Sequence, residues 1–334
     1  MRKIYINTLF LTLLLFLASC TWDYDWDWLN PGGSGSNFTQ LNINDGTTNL
    51  ATGIHSLVIN NTTYQISFNG NNIFFNNNNT LSKFNSNTFE STGLVTPLSN
   101  QVSVYYSGAT PNNPQFLFNN SASSTIYACA NIESANLTCT ATPTFNGLNA
   151  QPSQIAGNAG YQYAVLSTDP IYMATNTESY AQISVPQDMS ATSVSYSSIT
   201  TDINGNLYAL VTYNPQDSTK AQSTYLDSYD PSAKKWNKIL NNPNIISVNT
   251  PLAANSNGTV FFLNPPNANA ISCSNGQLRV PIGYTKDNAT QVFYALINNG
   301  CNSTVTPVSL SVNSSNTVYI TLSNNTVFYG TIQT

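Results

Sequence analysis

The chain has 334 residues, of which only 7% are charged; nine Lys or Arg stand against fourteen Asp or Glu, for a formal net charge of −5. That balance argues against nucleic acid as a partner, because phosphate recognition needs a basic surface. A single histidine, His55, excludes imidazole-rich metal chemistry, and no Gly-X-Ser-X-Gly elbow accompanies it to suggest a Ser-His-Asp triad.

The first predicted element is a leader. Arg2 and Lys3 precede an apolar run from Ile4 to Phe16, and Leu17-Ala18-Ser19-Cys20 follows. The run is too short for an ordinary membrane span and has the layout of a secretory signal. Leu17–Cys20 resembles the lipobox of bacterial lipoproteins. The resemblance implies cleavage of residues 1–19, acylation of the Cys20 thiol and attachment to a membrane. Thr21 at the next position implies, by analogy with lipoprotein sorting, the outer membrane of a two-membrane envelope. An ordinary signal peptide cut nearby, with an incidental cysteine, is the alternative. Loss of the leader leaves seven basic against fourteen acidic residues, a net charge of −7.

Residues 20–37 read as a lipidated flexible tether. Trp22-Asp23-Tyr24-Asp25-Trp26-Asp27-Trp28 alternates aromatic and acidic residues, and Leu29 to Asn37 is rich in Gly and Ser. The indoles suit a membrane interface whereas the aspartates are repelled by anionic headgroups, so a solvated spacer, a docking segment and a glycan platform all stay open.

From Phe38 to Thr334 one all-β domain is expected. Asn, Ser and Thr dominate the polar residues and 19 Tyr and 15 Phe the aromatics, a palette of pleated strands and tight turns. Turn residues followed by an apolar-aromatic strand recur at Asn71–Phe75, Ser124–Ala128, Asp169–Met173, Gly205–Ala209, Gly258–Phe262 and Asn316–Ile320. Their spacing of about 50 residues is that of a four-stranded propeller blade. Six anchors give six blades, with seven also allowed; a β-sandwich or a β-helix would show similar short strands. Closure of the ring is expected between residues 54–59 or 64–68 and the C-terminal 326–332, which would leave no open edge.

The clearest repeat runs from Asn204-Gly205-Asn206-Leu207-Tyr208 to Tyr229-Asp230-Pro231 and Trp236. Over residues 204–239 it resembles a kelch repeat. The resemblance implies a kelch-like propeller in which Tyr229 and Trp236, on adjoining strands, pack between blades. One position departs: where that family carries a glycine pair, this chain has Val211-Thr212.

Besides Cys20 there are Cys129, Cys139, Cys273 and Cys301. In an exported chain these read as two disulfides, Cys129–Cys139 and Cys273–Cys301, each pair close in sequence and each bridge worth about 2–4 kcal/mol. No CxxC spacing supports a metal site, and no cofactor is expected. Asp202-Ile203-Asn204-Gly205-Asn206 has oxygen ligands at alternating positions, yet its glycine falls too early for a calcium loop, so a hairpin turn is expected. Carboxylates such as Glu90, Asp169, Asp188 and Asp227 show no pair spacing that marks a glycosidase, and Arg279 alone remains to fork an acidic sugar. The expected function is a non-catalytic, envelope-anchored scaffold with a protein partner. A carbohydrate-binding lipoprotein and a carboxylate-dependent enzyme acting on glycans are the rivals.

Overall fold

The computed structural model describes residues 35–41, the strands between residues 54 and 142, and most of the chain from residue 148 to 333. Among the described residues every regular element is a β-strand. Up-and-down pairing gathers β2 (Ile54–Ile59), β3 (Thr62–Asn69), β4 (Asn72–Asn77) and β5 (Thr80–Phe84) into a first sheet. A second holds β6 (Phe116–Asn120), β7 (Thr125–Ala130) and β8 (Thr138–Thr142). The third contains β9 (Pro152–Asn158), β10 (Tyr161–Leu166), β11 (Ile171–Thr175) and β12 (Ala181–Gln182). The fourth contains β13 (Ala191–Thr201), β14 (Leu207–Pro215), β15 (Ser223–Asp230) and β16 (Lys235–Lys238).

The remaining strands form two further blades joined at their outer edges. One is β17 (Leu252–Ala254), β18 (Val260–Leu263), β20 (Gln277–Lys286) and β21 (Ala289–Ile297), with β19 (Ser272–Ser274) folded onto β20. The other is β22 (Pro307–Val312), β23 (Thr317–Leu322) and β24 (Val327–Thr331), completed by β1 (Gly35–Leu41). The innermost strands stand side by side in the order β9, β13, β17, β22, β2, so the last blade adjoins the first. That circular order, with antiparallel meanders as blades, is a six-bladed β-propeller. A sandwich would need two facing sheets and a β-helix a parallel coil.

Stacking of blades explains the long apolar runs. Leu207 to Tyr213 on β14 is buried at every position, because both faces of the blade are covered. Leu207 packs with Tyr163, Val165 and Ile171 of the third blade, while Tyr208 and Leu210 pack with Leu252, Val260 and Phe262 of the fifth. Val211 and Thr212, where the kelch pattern has glycines, are part of this core: Val211 is fully buried and the Thr212 hydroxyl lies 2.9 Å from that of Thr224.

Ring closure differs from the sequence expectation. Residues 54–59 and 64–68 stay within the first blade, and the C-terminal strand β24 pairs with β1 instead. Thr39–Leu41 runs antiparallel to Val327–Tyr329, and Gly35–Phe38 runs parallel to Tyr294–Ile297 of β21. The strand thus begins at Gly35, inside the Gly-Ser stretch that composition reads as spacer. Backbone hydrogen bonds, which any sequence can make, hold this half, and Phe38 anchors the whole strand in the core beside Phe293, with ring centroids 5.9 Å apart.

A second device repeats between blades. The Asp202 carboxylate accepts the backbone N–H groups of Asn204 and Asn206 on Oδ1 at 2.9 and 3.0 Å, and the Asn206 amide and Tyr208 hydroxyl on Oδ2 at 2.8 and 2.9 Å. Asn255, at the same place in the next blade, accepts from the N–H groups of Asn257 and Thr259, both at 2.9 Å. Each turn packs against its neighbour. The Tyr163 hydroxyl donates to the Gly205 carbonyl at 2.8 Å, the Tyr208 hydroxyl would lie 2.7 Å from a Cβ at Gly258, and the Asn255 amide reaches Asn316 Oδ1 at 2.5 Å. Gly205 has φ +82° and a Cβ there would sit 2.4 Å from the Tyr161 ring, so backbone and space both require glycine. With four donors on the Asp202 carboxylate, this loop is a hairpin turn.

The buried phenols make an alkaline limit. Burial, reinforced by the phenols of Tyr229 and Tyr161 for Tyr163 and by the Asp202 carboxylate for Tyr208, raises both pKa values well above the ordinary tyrosine range; burial pushes Tyr319 up to about 12. The folded state holds these protons more tightly than the unfolded chain. Stability is therefore complete below about pH 10 and falls above it, by about 1.4 kcal/mol per pH unit for each phenol. Urea midpoints are expected to drop steeply between about pH 10 and pH 11, with the Tyr163, Tyr208 and Tyr319 phenolates appearing only together with unfolding. Phenolate formed at these three residues on a still-folded chain, read against their Phe variants, would contradict this.

Candidate functional site

The turn that begins the site is built by Asp230, whose Oδ1 accepts the N–H groups of Ser232 and Ala233 at 2.8 and 3.0 Å. Pro231 fits the bend, and Lys234 takes φ 52° to complete it. This fixes the register of β15 with β16: Tyr229 faces Trp236 and Asp227 faces Lys238. Tyr229, 2% exposed, and Trp236 have ring centroids 5.3 Å apart; Tyr229 also meets Tyr163 of the third blade edge-on at 6.5 Å. Trp236 stacks on Tyr196 at 6.2 Å and donates its indole N–H to the Ser184 carbonyl at 2.6 Å.

That last bond draws the segment after β12 against the rim of the fourth blade and leaves a groove of about 350 Å³ between them. Ser184, Val185 and Pro186 form one wall, Tyr213, Asp227 and Trp236 line it, and Lys234, Lys235, Asn237 and Lys238 come from the other side. Val185 is 42% exposed, a large apolar side chain left in water. Asp227 is buried and accepts the Tyr213 hydroxyl at 2.5 Å. The Lys238 ammonium lies 4.7 Å from the Tyr213 ring centre and 4.1 Å from that of Tyr225, a cation–π contact worth about 0.5–1 kcal/mol at such a site. Three of the chain's nine basic residues therefore meet at one groove.

Asp227 is the one carboxylate among the described lining residues, and no nucleophile–base pair adjoins it. The groove has an apolar wall and a cationic rim. Sequence reasoning picked out Tyr229 and Trp236 for blade packing but missed Ser184–Pro186, Tyr213 and the lysines. The Lys234-Lys235-Trp236-Asn237-Lys238 cluster, in a chain so poor in charge, is the signal that marks it.

Cys20 lies outside the described residues. The β7–β8 register sets Cys129 directly opposite Cys139. Facing residues of an antiparallel pair are about 4.5–5.5 Å apart at Cα, inside the range a disulfide spans. Cys273 and Cys301 are free thiols in the structure, not a disulfide. They are nonetheless neighbours: hydrogen bonding with Cys301, then burial, then the charge of Cys301 push the Cys273 thiol up to about 11, and Cys301 Sγ donates to the Gln277 carbonyl at 3.2 Å. His55 lies on β2, and the Arg279 guanidinium sits 4.1 Å above the Tyr294 ring.

No protein-family model and no curated protein matches the chain. Among solved structures it is similar to YCF48 bound to D1 peptide, at 9% identity and a TM-score of 0.47 over 89% of this chain and 97% of that one. YCF48 from Cyanidioschyzon merolae gives 9% and 0.46 over 89% and 99%. The Cps50 (Swd1) β-propeller domain of Myceliophteria thermophila gives 10% and 0.47 over 88% and 100%. At these identities and scores they assign the chain neither a family nor a partner.

Proposed function

We infer that the chain is an exported lipoprotein, held at a bacterial outer membrane through acylated Cys20, whose kelch-like propeller binds a protein partner and performs no catalysis. The observation that carries this reading is the rim groove. It combines exposed Val185, half-buried Trp236 and three lysines in an otherwise acidic, charge-poor molecule, the combination of apolar anchor and charged rim that interfaces use. Among the described residues the other buried carboxylate, Asp202, is spent on turn construction. Export further implies that Cys129–Cys139 and Cys273–Cys301 are oxidised to disulfides in the mature protein.

The test is a photo-crosslinking amino acid at Asn237, an exposed position on the groove, in intact cells. A discrete protein adduct that is lost when Val185 is changed to Asp supports the reading. Adducts that ignore that change, or selective binding on a glycan array in their place, would replace it with the carbohydrate alternative.

A further inference from the structure

The fifth blade carries two thiols that its register brings together. The β19–β20 hairpin turns at Asn275-Gly276, where both residues take positive φ, 51° and 78°, as a two-residue Asn-Gly turn requires. That pairing sets Cys273 opposite Leu278; Leu278 faces Ile297 on β21, and Ile297 faces Phe38 on β1. One row thus runs across four strands, from exposed Cys273 to the phenylalanine that anchors the closing strand. By Cys301 the chain is back at the start of that row. Asn299 Oδ1 accepts the Cys301 N–H at 3.0 Å, and Cys301 takes φ 59°, a conformation that residues with a Cβ seldom adopt. Cys301 Sγ, half-buried, donates to the Gln277 carbonyl at 3.2 Å and is hydrogen-bonded to the Cys273 thiol. The side-chain amide of the same Gln277 donates to Asn37 Oδ1 on β1 at 3.2 Å.

From this we propose that Cys273 and Cys301 are a thiol–disulfide exchange site, which takes the disulfide of another molecule as substrate and, once oxidised, locks the strand on which β1 closes the ring. The inference rests on the export reading above only for the supply of oxidant. Exposure separates such a pair from a purely structural bridge: an outside sulfur can reach Cys273, and exposed disulfides are the ones that exchange. The Cys273 thiolate attacks one sulfur of the incoming disulfide, forming a mixed disulfide at Cys273 and releasing the other half as a thiolate that takes up the Cys273 proton. The neighbouring Cys301 thiolate then attacks Cys273 Sγ. The Cys273–Cys301 bond forms, and the second half leaves as a thiolate that takes up the Cys301 proton. Two protein thiols lose two electrons and two protons, and one outside disulfide becomes two thiols. A small disulfide and the oxidised cysteine pair of an oxidoreductase share this chemistry. The new bond ties the chain just after β21 to β19, across β20, and so restrains the strand that Gly35–Phe38 pairs with.

The experiment incubates the full mature chain in detergent with glutathione buffers running from fully reduced to fully oxidised, quenches with an alkylating agent and maps Cys273 and Cys301 by peptide mass. The pair is expected to convert reversibly between dithiol and disulfide within that range. Cys301→Ser, which keeps a donor for the Gln277 carbonyl, is expected to hold a stable glutathione adduct at Cys273. That adduct should form at least about ten-fold faster than one at Cys301 in Cys273→Ser, because Cys273 is exposed and Cys301 half-buried. Oxidation of the unsubstituted chain is expected to slow amide exchange on β21 and β1 by about ten-fold, with no such change in Cys301→Ser. A pair that stays reduced in oxidised glutathione, a bridge that stays closed in reduced glutathione, equal adduct rates at the two cysteines, or unchanged amide exchange overturns the inference. An oxidised dithiol oxidoreductase offered in place of glutathione tells the sources apart: faster oxidation assigns a protein as oxidant, slower oxidation a small disulfide, and either supports the site. If the pair exchanges in this way while cells hold the chain with its leader uncleaved, the site stands and the export reading alone falls. A lipidated chain whose pair is inert does the reverse.

Discussion

Phe38→Ala is expected to destabilise the protein by about 3–5 kcal/mol, the cost of deleting a buried phenylalanine, out of a total that for ordinary domains is about 5–15 kcal/mol. Phe38 is 5% exposed and is the main apolar anchor of the closing strand. Its ring lies over Gly330 of β24 so closely that a Cβ there would fall 2.6 Å from two ring carbons. Gly330→Ala should therefore destabilise too, by about 1–3 kcal/mol, through displacement of the ring. The two losses should not add: once the ring is gone the alanine methyl has room, so the double variant should be little worse than Phe38→Ala alone. Urea denaturation of the four proteins decides it, with amide exchange expected to accelerate on β24 and β21 first. Additive losses, or a Phe38→Ala cost below about 1 kcal/mol, would mean that β1 is not what closes the ring.

Asp202→Ala should cost about 2–4 kcal/mol, since hydrogen bonds to a charged group contribute about 1.5–3 kcal/mol and four share this carboxylate. The substitution strips two backbone N–H groups of their acceptor and strands a buried Tyr208 hydroxyl. Asp202→Asn is expected to lose less than half as much. The reason is on the next blade, where Asn255 accepts the two equivalent N–H groups through its amide oxygen. Thermal denaturation of both variants checks this order. Equal losses would mean that the charge itself, not the turn geometry, matters at Asp202.

Blade number is legible in the chain because each blade carries one of the apolar-aromatic strands that follow a turn. The six anchors fall one to a blade, yet they are not equivalent. Phe74 and Tyr172 lie on third strands, β4 and β11, whereas Tyr208, Phe261 and Tyr319 lie on second strands, β14, β18 and β23. The deeper repeat is the Asx turn of Asp202 and Asn255, which sequence reasoning meets only once, as a failed calcium loop. Closure is misread because Ile54–Ile59 looks more like a strand than Gly-Ser-Asn-Phe-Thr, while pairing between backbones does not show in composition. The groove is invisible from sequence for another reason: it exists only where Ser184 meets Trp236, 52 residues further on.

β1 also sets the order of events during synthesis. It is made before every other described strand of the ring, but its partners come late: β21 belongs to the fifth blade, and β24 is the last described strand of all. Contacts of such sequence separation form slowly, and until they form the segment is an unpaired strand with neighbours to find. Its Gly-Ser-Asn start and lone phenylalanine keep that waiting segment soluble, so the residues that make it resemble a spacer are the ones that let it survive as a nascent chain until the sixth blade arrives.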